Sequence, residues 1–195
     1  MGSPGLFDRI ALIYALFYKY QVKHFGNVLD GPLRDLTISS YTSAIDVGCG
    51  TGALCAVLKQ KGLQVTGIDP AGRMLAAAAK RPANKGVDFI RANAAERLPF
   101  SDKSFDISFC TFVAHGLPAA ERVKMYAELS RITRYKILII DYNQQRSLAV
   151  NIVEWLEGGN YFKFVRQARH EMETYFAALA IRPLGPRTAC YICTP

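Results

Sequence analysis

A chain of 195 residues, half of them apolar, is long enough to bury a proper core and fits one domain. The longest early apolar run, Ile10 to Tyr18, is far shorter than the roughly 20 residues of a membrane span. It also lacks the polar flank and small-residue cleavage site of a signal peptide, so a soluble, cytoplasmic protein is expected. The excess of 24 basic over 16 acidic residues, a net +8, favours an anionic partner. The positives are dispersed, however, and Lys80-Arg81 is their only adjacent pair, which argues against nucleic acid.

Residues 6–25 read as a helix that is apolar on more than one face until the lysines begin at Lys19, and such a helix must be covered by something. Strand and helix then alternate: "SAIDVG" strand, "ALCAVLKQKG" helix ending at Gly62, "LQVTGID" strand, "AGRMLAAAAKR" helix stopped by Pro82. Strand "VDFIR", a turn-rich "LPFSDKS", strand "FDISFCTF" and a helix from Pro118 to about Arg134 continue the rhythm, with Pro118 in the first turn. Strand "KILIID" follows, and the run "ILII" without polar alternation marks a strand covered on both faces.

Two helices then come in succession. Leu148, Ile152, Trp155 and Leu156 line the first; Tyr161, Val165, Ala168, Met172 and Phe176 line the second, with Gly158-Gly159 between them. "IRPLG" and the last strand "ACYIC" read as a hairpin that adds an antiparallel element to an otherwise parallel sheet. The layout is α/β and doubly wound. Five cysteines scattered through apolar stretches suit a reducing compartment. Cys190 and Cys193 form a CxxC, but residues three apart on a strand face opposite ways and do not share a metal, so no metal site is expected.

The stretch "AIDVGCGTGA" places Gly48, Gly50 and Gly52 between a strand and a helix. Such a turn lets a ligand lie against bare main chain at the carboxyl ends of the strands. Asp69, ending the next strand, is placed to accept hydrogen bonds from both hydroxyls of a ribose, so an adenosine-type cofactor is expected. The run Gly48-Cys-Gly50-Thr-Gly52-Ala53 also satisfies the pattern of nicotinamide and flavin enzymes. Asp46 beside the loop suits an ammonium or sulfonium better than a pyrophosphate.

Four ordered stretches resemble one family, the class I S-adenosylmethionine-dependent methyltransferases: "IDVGCGTG", "GIDPAGRML", "ERLPFSDKSFDISFCTF" and "ELSRITRYKILIIDY". The resemblance covers about residues 40–142 and is closest to a small-molecule branch that includes quinone-biosynthesis methyltransferases, which also open with a segment like "FDRIALIY". It implies a Rossmann-like, mostly parallel seven-stranded sheet with an antiparallel last strand, an extra N-terminal helix and a helical insert before the C-terminal hairpin. The single 1–195 domain would then divide into a lid helix (6–25), a cofactor-binding core (40–142) and an acceptor-side insert (144–178).

The resemblance further implies S-adenosylmethionine as cofactor and S-adenosylhomocysteine as product. Asp46 and the Gly48, Cys49, Gly50 and Gly52 backbone would hold the methionine end, Asp69 the ribose, and Pro70 and Met74 the adenine. The family's adenine-binding aspartate is replaced by Ala94, a loss of about 1 kcal/mol that Asn93 is placed to offset, while the Ala95 N–H still serves. Phe112 would pack near the methionine portion, and Tyr14, with Tyr18, would close over the cofactor. Relatives often carry "YD" where this chain has Tyr14-Ala15.

Methyl transfer from a sulfonium asks chiefly for alignment and exclusion of water. His115, just beyond the fourth strand, is the candidate general base. Asp141, ending the fifth strand, points to the same rim, with capping of a following helix as its alternative; His24 and His170 are expected at the surface. The aromatic-rich first helix and insert suggest a greasy pocket for a small apolar or aromatic acceptor, or simply rings that pack helices onto the sheet. Two other readings stay open: a nicotinamide-dependent oxidoreductase, and a scaffold that binds the cofactor without turnover.

Overall fold

The computed structural model describes residues 4–143 and 160–195, with side chains over 16–143 and 163–195. Helix α1 (Pro4–Asp30) leads into β1 (Ser43–Val47), α2 (Ala53–Gln60), β2 (Gln64–Asp69), α3 (Gly72–Ala79) and β3 (Asp88–Arg91). β4 (Phe105–Thr111), α4 (Ala119–Ile132), β5 (Thr133–Tyr142), α5 (Asn160–Tyr175), β6 (Ala178–Pro183) and β7 (Thr188–Thr194) complete the order.

The seven strands form one sheet in the order β3-β2-β1-β4-β5-β7-β6. Pairings from β3 to β5 are parallel, and β7 runs antiparallel to both β5 and β6. The C-terminal hairpin therefore slots its last strand inside and leaves β6 at the edge. Strand order reverses between β1 and β4, so the carboxyl ends of these two strands and of β2 border one crevice, the place where doubly wound sheets bind ligands.

The uninterrupted apolar runs follow from burial on both faces. Along β5, Ile137 and Ile139 belong to one core cluster with Met125, Leu129 and Phe164 of α4 and α5. Leu138 and Ile140 belong to the opposite one, with Leu54 and Leu58 of α2 and Val28 and Leu29 of α1. Each such side chain contributes roughly 1.5–3 kcal/mol of burial. Cys190 and Cys193 fall in opposite clusters, as a three-residue spacing on a strand requires.

Three boundaries differ from the sequence expectation for local reasons. Helix α1 continues five residues past Phe25, because Val28 and Leu29 keep its inner stripe buried; it ends where the Leu33 N–H reaches back to Val28 O (3.1 Å) at Gly31-Pro32. Pro118 caps α4 from outside instead of entering its first turn, with extended backbone (ψ 150°). β5 starts at Thr133, three residues before Lys136, since the buried Thr133 hydroxyl lies 2.5 Å from that of Ser108 on β4. Of the insert's two helices, the first lies outside the described residues. The second is α5, whose Phe164, Val165, Ala168 and Met172 are buried.

Among the described residues, no helix is long and apolar enough to cross a membrane.

Candidate active site

The loop after β1 is drawn onto the sheet by its own backbone. The Gly48 and Cys49 N–H groups both donate to Ile68 O, at 2.8 and 3.0 Å. Gly48 takes φ +75°, and a Cβ there would lie 2.3 Å from Val113 Cγ2, so the turn after β4 reaches this close only over glycine. Gly52, also at φ +75°, opens α2, and a Cβ would strike Asn84 Nδ2 at 2.4 Å. Gly50 differs: nothing lies within 4 Å of its Cβ position, so the loop presents bare main chain to open space there. That is the property the glycine spacing predicted.

Asp69 ties this loop to the end of β2. Its Oδ2 accepts the Gly50 N–H (2.9 Å) and its Oδ1 accepts the Ala71 N–H (2.8 Å), so the carboxylate orients two stretches of rim backbone. Pro70 is half-buried, and its carbonyl accepts from Arg91 Nε at 3.0 Å. Met74 is buried against Ala71.

Asp46 sits deeper than the sequence suggests, 2% exposed beneath the loop. Its Oδ2 accepts the Cys55 thiol proton at 3.3 Å. Burial pushes its pKa up to about 7, with Asp69 nearby adding to the rise. The contact with Cys49 first, and burial second, hold the Cys55 thiol well above the usual range, so it stays protonated. Both thiols pack over Gly67 of β2, where a Cβ would stand 3.0 Å from each sulfur. A buried carboxylate of this kind is charged cheaply only when a cation arrives.

Ala94 and Ala95 are buried next to this rim. The Ala95 N–H donates to Asn93 Oδ1 (3.1 Å), and Asn93 Nδ2 donates to Glu96 Oε1 (3.0 Å). Both groups expected at the adenine are thus engaged within their own turn, as Asn side chains favour.

On the other side of the crevice, Phe112 follows β4 at φ +54°, strained for a bulky residue, while its N–H donates to Ile140 O at 2.8 Å. Its ring is 39% exposed and lies 5.6 Å from that of Tyr142; the His115 ring stands 4.8 Å from Tyr142, edge to face.

His115 Nδ1 lies 2.8 Å from Asp141 Oδ1, and the His115 N–H donates to Asp141 Oδ2 at 3.2 Å. The Tyr142 N–H also donates to Asp141 Oδ1, at 2.8 Å. A carboxylate only accepts, so Nδ1 carries the proton and Nε2 is the basic nitrogen of the neutral ring. Sequence reasoning had both residues at the rim but missed their pairing. The parallel β4–β5 register supplies it, and adjacency of the fourth and fifth strands is the one signal that pointed there.

The His115 turn is braced from below. Arg122, fully buried on α4, donates through Nη1 to Leu117 O (2.6 Å) and through Nε and Nη2 to both oxygens of Glu171 on α5 (2.8 and 2.5 Å). Burial works against the guanidinium charge, but the Glu171 bonds outweigh it and raise its pKa. Helix α5 and the His115 turn are thereby fixed to one another.

The remaining expected positions are placed as follows. Tyr18 is buried against Ala53 and Ala56 of α2, under Arg81, whose guanidinium carbon lies 4.4 Å from the ring centroid. The side chains of Tyr14, Trp155 and Tyr161 lie outside the described residues. His24 and His170 are exposed, as expected. A polar hollow lined by Ser40, Asp106, Arg134 and Tyr135 lies at the opposite, amino end of the strands, where Arg134 pairs with Asp106 at 2.7 Å.

Residues 45–139 match the family model described as "Methyltransferase domain". A demethylmenaquinone methyltransferase of Thermotoga maritima is 32% identical over 138 residues, spanning 67% of this chain and 56% of that enzyme. Two further curated relatives are covered over 40% and 37% of their own length. In fold, the PH0226 protein of Pyrococcus horikoshii aligns over 87% of this chain and 88% of its own with a TM-score of 0.67 at 18% identity. The magnesium protoporphyrin IX methyltransferase of Synechocystis, solved with bound S-adenosylhomocysteine, aligns over 89% and 82% with a TM-score of 0.63 at 17% identity. With the matched segment running from the strand before the glycine loop into the strand that carries Asp141, the chain belongs to the class I S-adenosylmethionine-dependent methyltransferase family.

Proposed function

We propose that this chain transfers a methyl group from S-adenosylmethionine to a small-molecule acceptor, with His115 as general base. The observation that carries the reading is the crevice itself. One wall is bare loop backbone tied to Asp69 over a buried Asp46; the other is the Phe112–Tyr142–His115 ring cluster with Asp141 behind it.

In this assignment Asp69 and the Gly48–Gly52 backbone, Cys49 included, hold the ribose and methionine portions, and Asp46 balances the cationic end. Pro70, Met74, Ala94 and Ala95 border the adenine, and Phe112 packs by the methionine portion. Bound there, the cofactor supplies a methyl on an already activated sulfur. The protein supplies alignment, which is worth roughly 7–11 kcal/mol when near-ideal, and removes the acceptor's proton at His115 Nε2. Asp141 fixes the ring in the tautomer that takes a proton at Nε2.

An apolar or aromatic hydroxyl acceptor suits this chemistry. The rings of Phe112 and Tyr142 supply flat apolar walls, and a phenolic proton is within reach of an imidazole base. The T. maritima relative, named for a quinone substrate, agrees with an apolar, aromatic acceptor. The test is incubation with S-adenosylmethionine and a panel of phenols, hydroquinones, amines and carboxylic acids, reading S-adenosylhomocysteine release and products heavier by one methylene unit. Turnover of aromatic hydroxyls is expected. Turnover confined to charged, water-loving acceptors overturns the acceptor class, and none with any acceptor, beside tight cofactor binding, favours the scaffold reading.

A further inference from the structure

Helix α1 is apolar on two faces, and the fold uses only one. Tyr18, Val22, Phe25, Val28 and Leu29 turn inward against α2 and the core behind it. On the other side Leu16, Phe17 and Tyr20 are 82%, 57% and 69% exposed, the three most exposed large apolar side chains among the described residues. Lys19 and Lys23 are exposed beside them. From residue 9 to residue 29 the helix carries no acidic residue, so the positive charge along it has no partner of its own.

We propose that this outward face of α1 docks on an anionic phospholipid surface. Leu16, Phe17 and Tyr20 enter the boundary between headgroups and acyl chains, while Lys19 and Lys23 reach out to the phosphates. An exposed apolar strip flanked by lysines is the pattern of helices that lie in a membrane interface, and lysine stems extend readily alongside it. The helix lies on the bilayer and does not cross it, for it is not apolar enough to span. The net charge of +8 draws the whole chain to an anionic surface.

A second copy of the chain fits this face less well. A two-fold contact would set Lys19 and Lys23 against the same lysines of the other copy, with no acid between residues 9 and 29 to relieve them. The position also has a consequence that rests on the methyltransferase reading. Tyr18, on the covered face, packs with Ala53, the residue after Gly52, so the helix that carries the strip also borders the start of α2, and docking it on a bilayer would bring a lipid-dissolved acceptor near the crevice.

The test is co-sedimentation of the full chain with vesicles of phosphatidylcholine alone and of phosphatidylcholine with phosphatidylglycerol in equal parts. Binding to the mixed vesicles is expected to be about tenfold tighter or more, and to weaken as salt is added. The L16S/F17S/Y20S variant is expected to lose vesicle binding about tenfold, with an unchanged melting transition and unchanged S-adenosylmethionine titration. K19Q/K23Q is expected to lose the preference for the anionic vesicles. Equal sedimentation of parent and triple variant overturns the proposal. So does a parent that is dimeric, ignores both vesicles and becomes monomeric in the triple variant. Loss of cofactor binding in the parent, with vesicle binding intact, would instead count against the methyltransferase reading alone.

Discussion

Asp141 and His115 stand 26 positions apart in sequence and meet at 2.8 Å, through Oδ1 and Nδ1, because β4 and β5 are parallel neighbours in the sheet. The same carboxylate, fully buried, accepts the backbone N–H groups of His115 and Tyr142. It therefore fixes the ring and the rim together. Asp141→Asn keeps the size but places an NH2 where an acceptor is needed. The expected outcome is turnover down about tenfold to a hundredfold with cofactor affinity within about twofold, read as a split between kcat and Kd. His115→Ala is expected to lower turnover at least as far and to leave cofactor affinity equally unmoved. Parent-like turnover in either variant removes the pair from the mechanism.

Asp69 offers a test of the opposite kind. Asp69→Ala removes the acceptor for the Gly50 and Ala71 N–H groups as well as the expected ribose contact. S-adenosylmethionine affinity is expected to fall by about tenfold or more, measured by titration calorimetry, since the loss of a charge-assisted bond is worth about 1.5–3 kcal/mol. Unchanged affinity refutes the assigned cofactor pose.

The buried Asp46 makes a pH prediction with a definite sign. Its pKa rises from 3.8 to about 7 on folding, so between those values the native state holds a proton that the unfolded chain has released. Its contribution to stability therefore falls as pH rises through that window and is level above about 7. Denaturant titrations of the ligand-free chain at pH values inside and above the window are expected to show this decline, and Asp46→Asn to flatten it. Cofactor affinity is expected to move the other way, rising through neutrality as the carboxylate ionises beneath a cationic ligand. An Asp46→Asn variant with the parent's pH dependence contradicts the assignment.

Gly48 separates backbone strain from crowding. Gly48→Ala meets both an unfavourable φ of +75° and the 2.3 Å approach to Val113 Cγ2. The left-handed backbone alone costs roughly 1–2 kcal/mol. The expected destabilisation exceeds that figure, and adding Val113→Ala is expected to return only the crowding part. A double variant as stable as the parent, by thermal or urea unfolding, would show that the loop is not held by its left-handed backbone.

What the sequence made legible was local. The glycine turn, the acid ending β2, the strand–helix alternation and the opposed faces of Cys190 and Cys193 each follow from short spacing or period. What it hid was long-range or shared. The Asp141–His115 pair depends on strand register, and the Arg122–Glu171 bridge depends on which face of α5 meets α4. Asp46 looked available beside the loop, yet its depth is set by α2 and Cys55 folding over it. Ala95 looked free to serve the adenine, but a neighbouring Asn side chain claims its N–H. The two apolar faces of α1 were visible, and the structure resolves which one is covered.

Titration of the full chain with S-adenosylmethionine, and separately with NADH, tests the central claim most directly. The account predicts saturable one-site binding of the sulfonium nucleoside and no measurable heat with the dinucleotide. Binding of NADH, with S-adenosylmethionine ignored or displaced by it, contradicts the account.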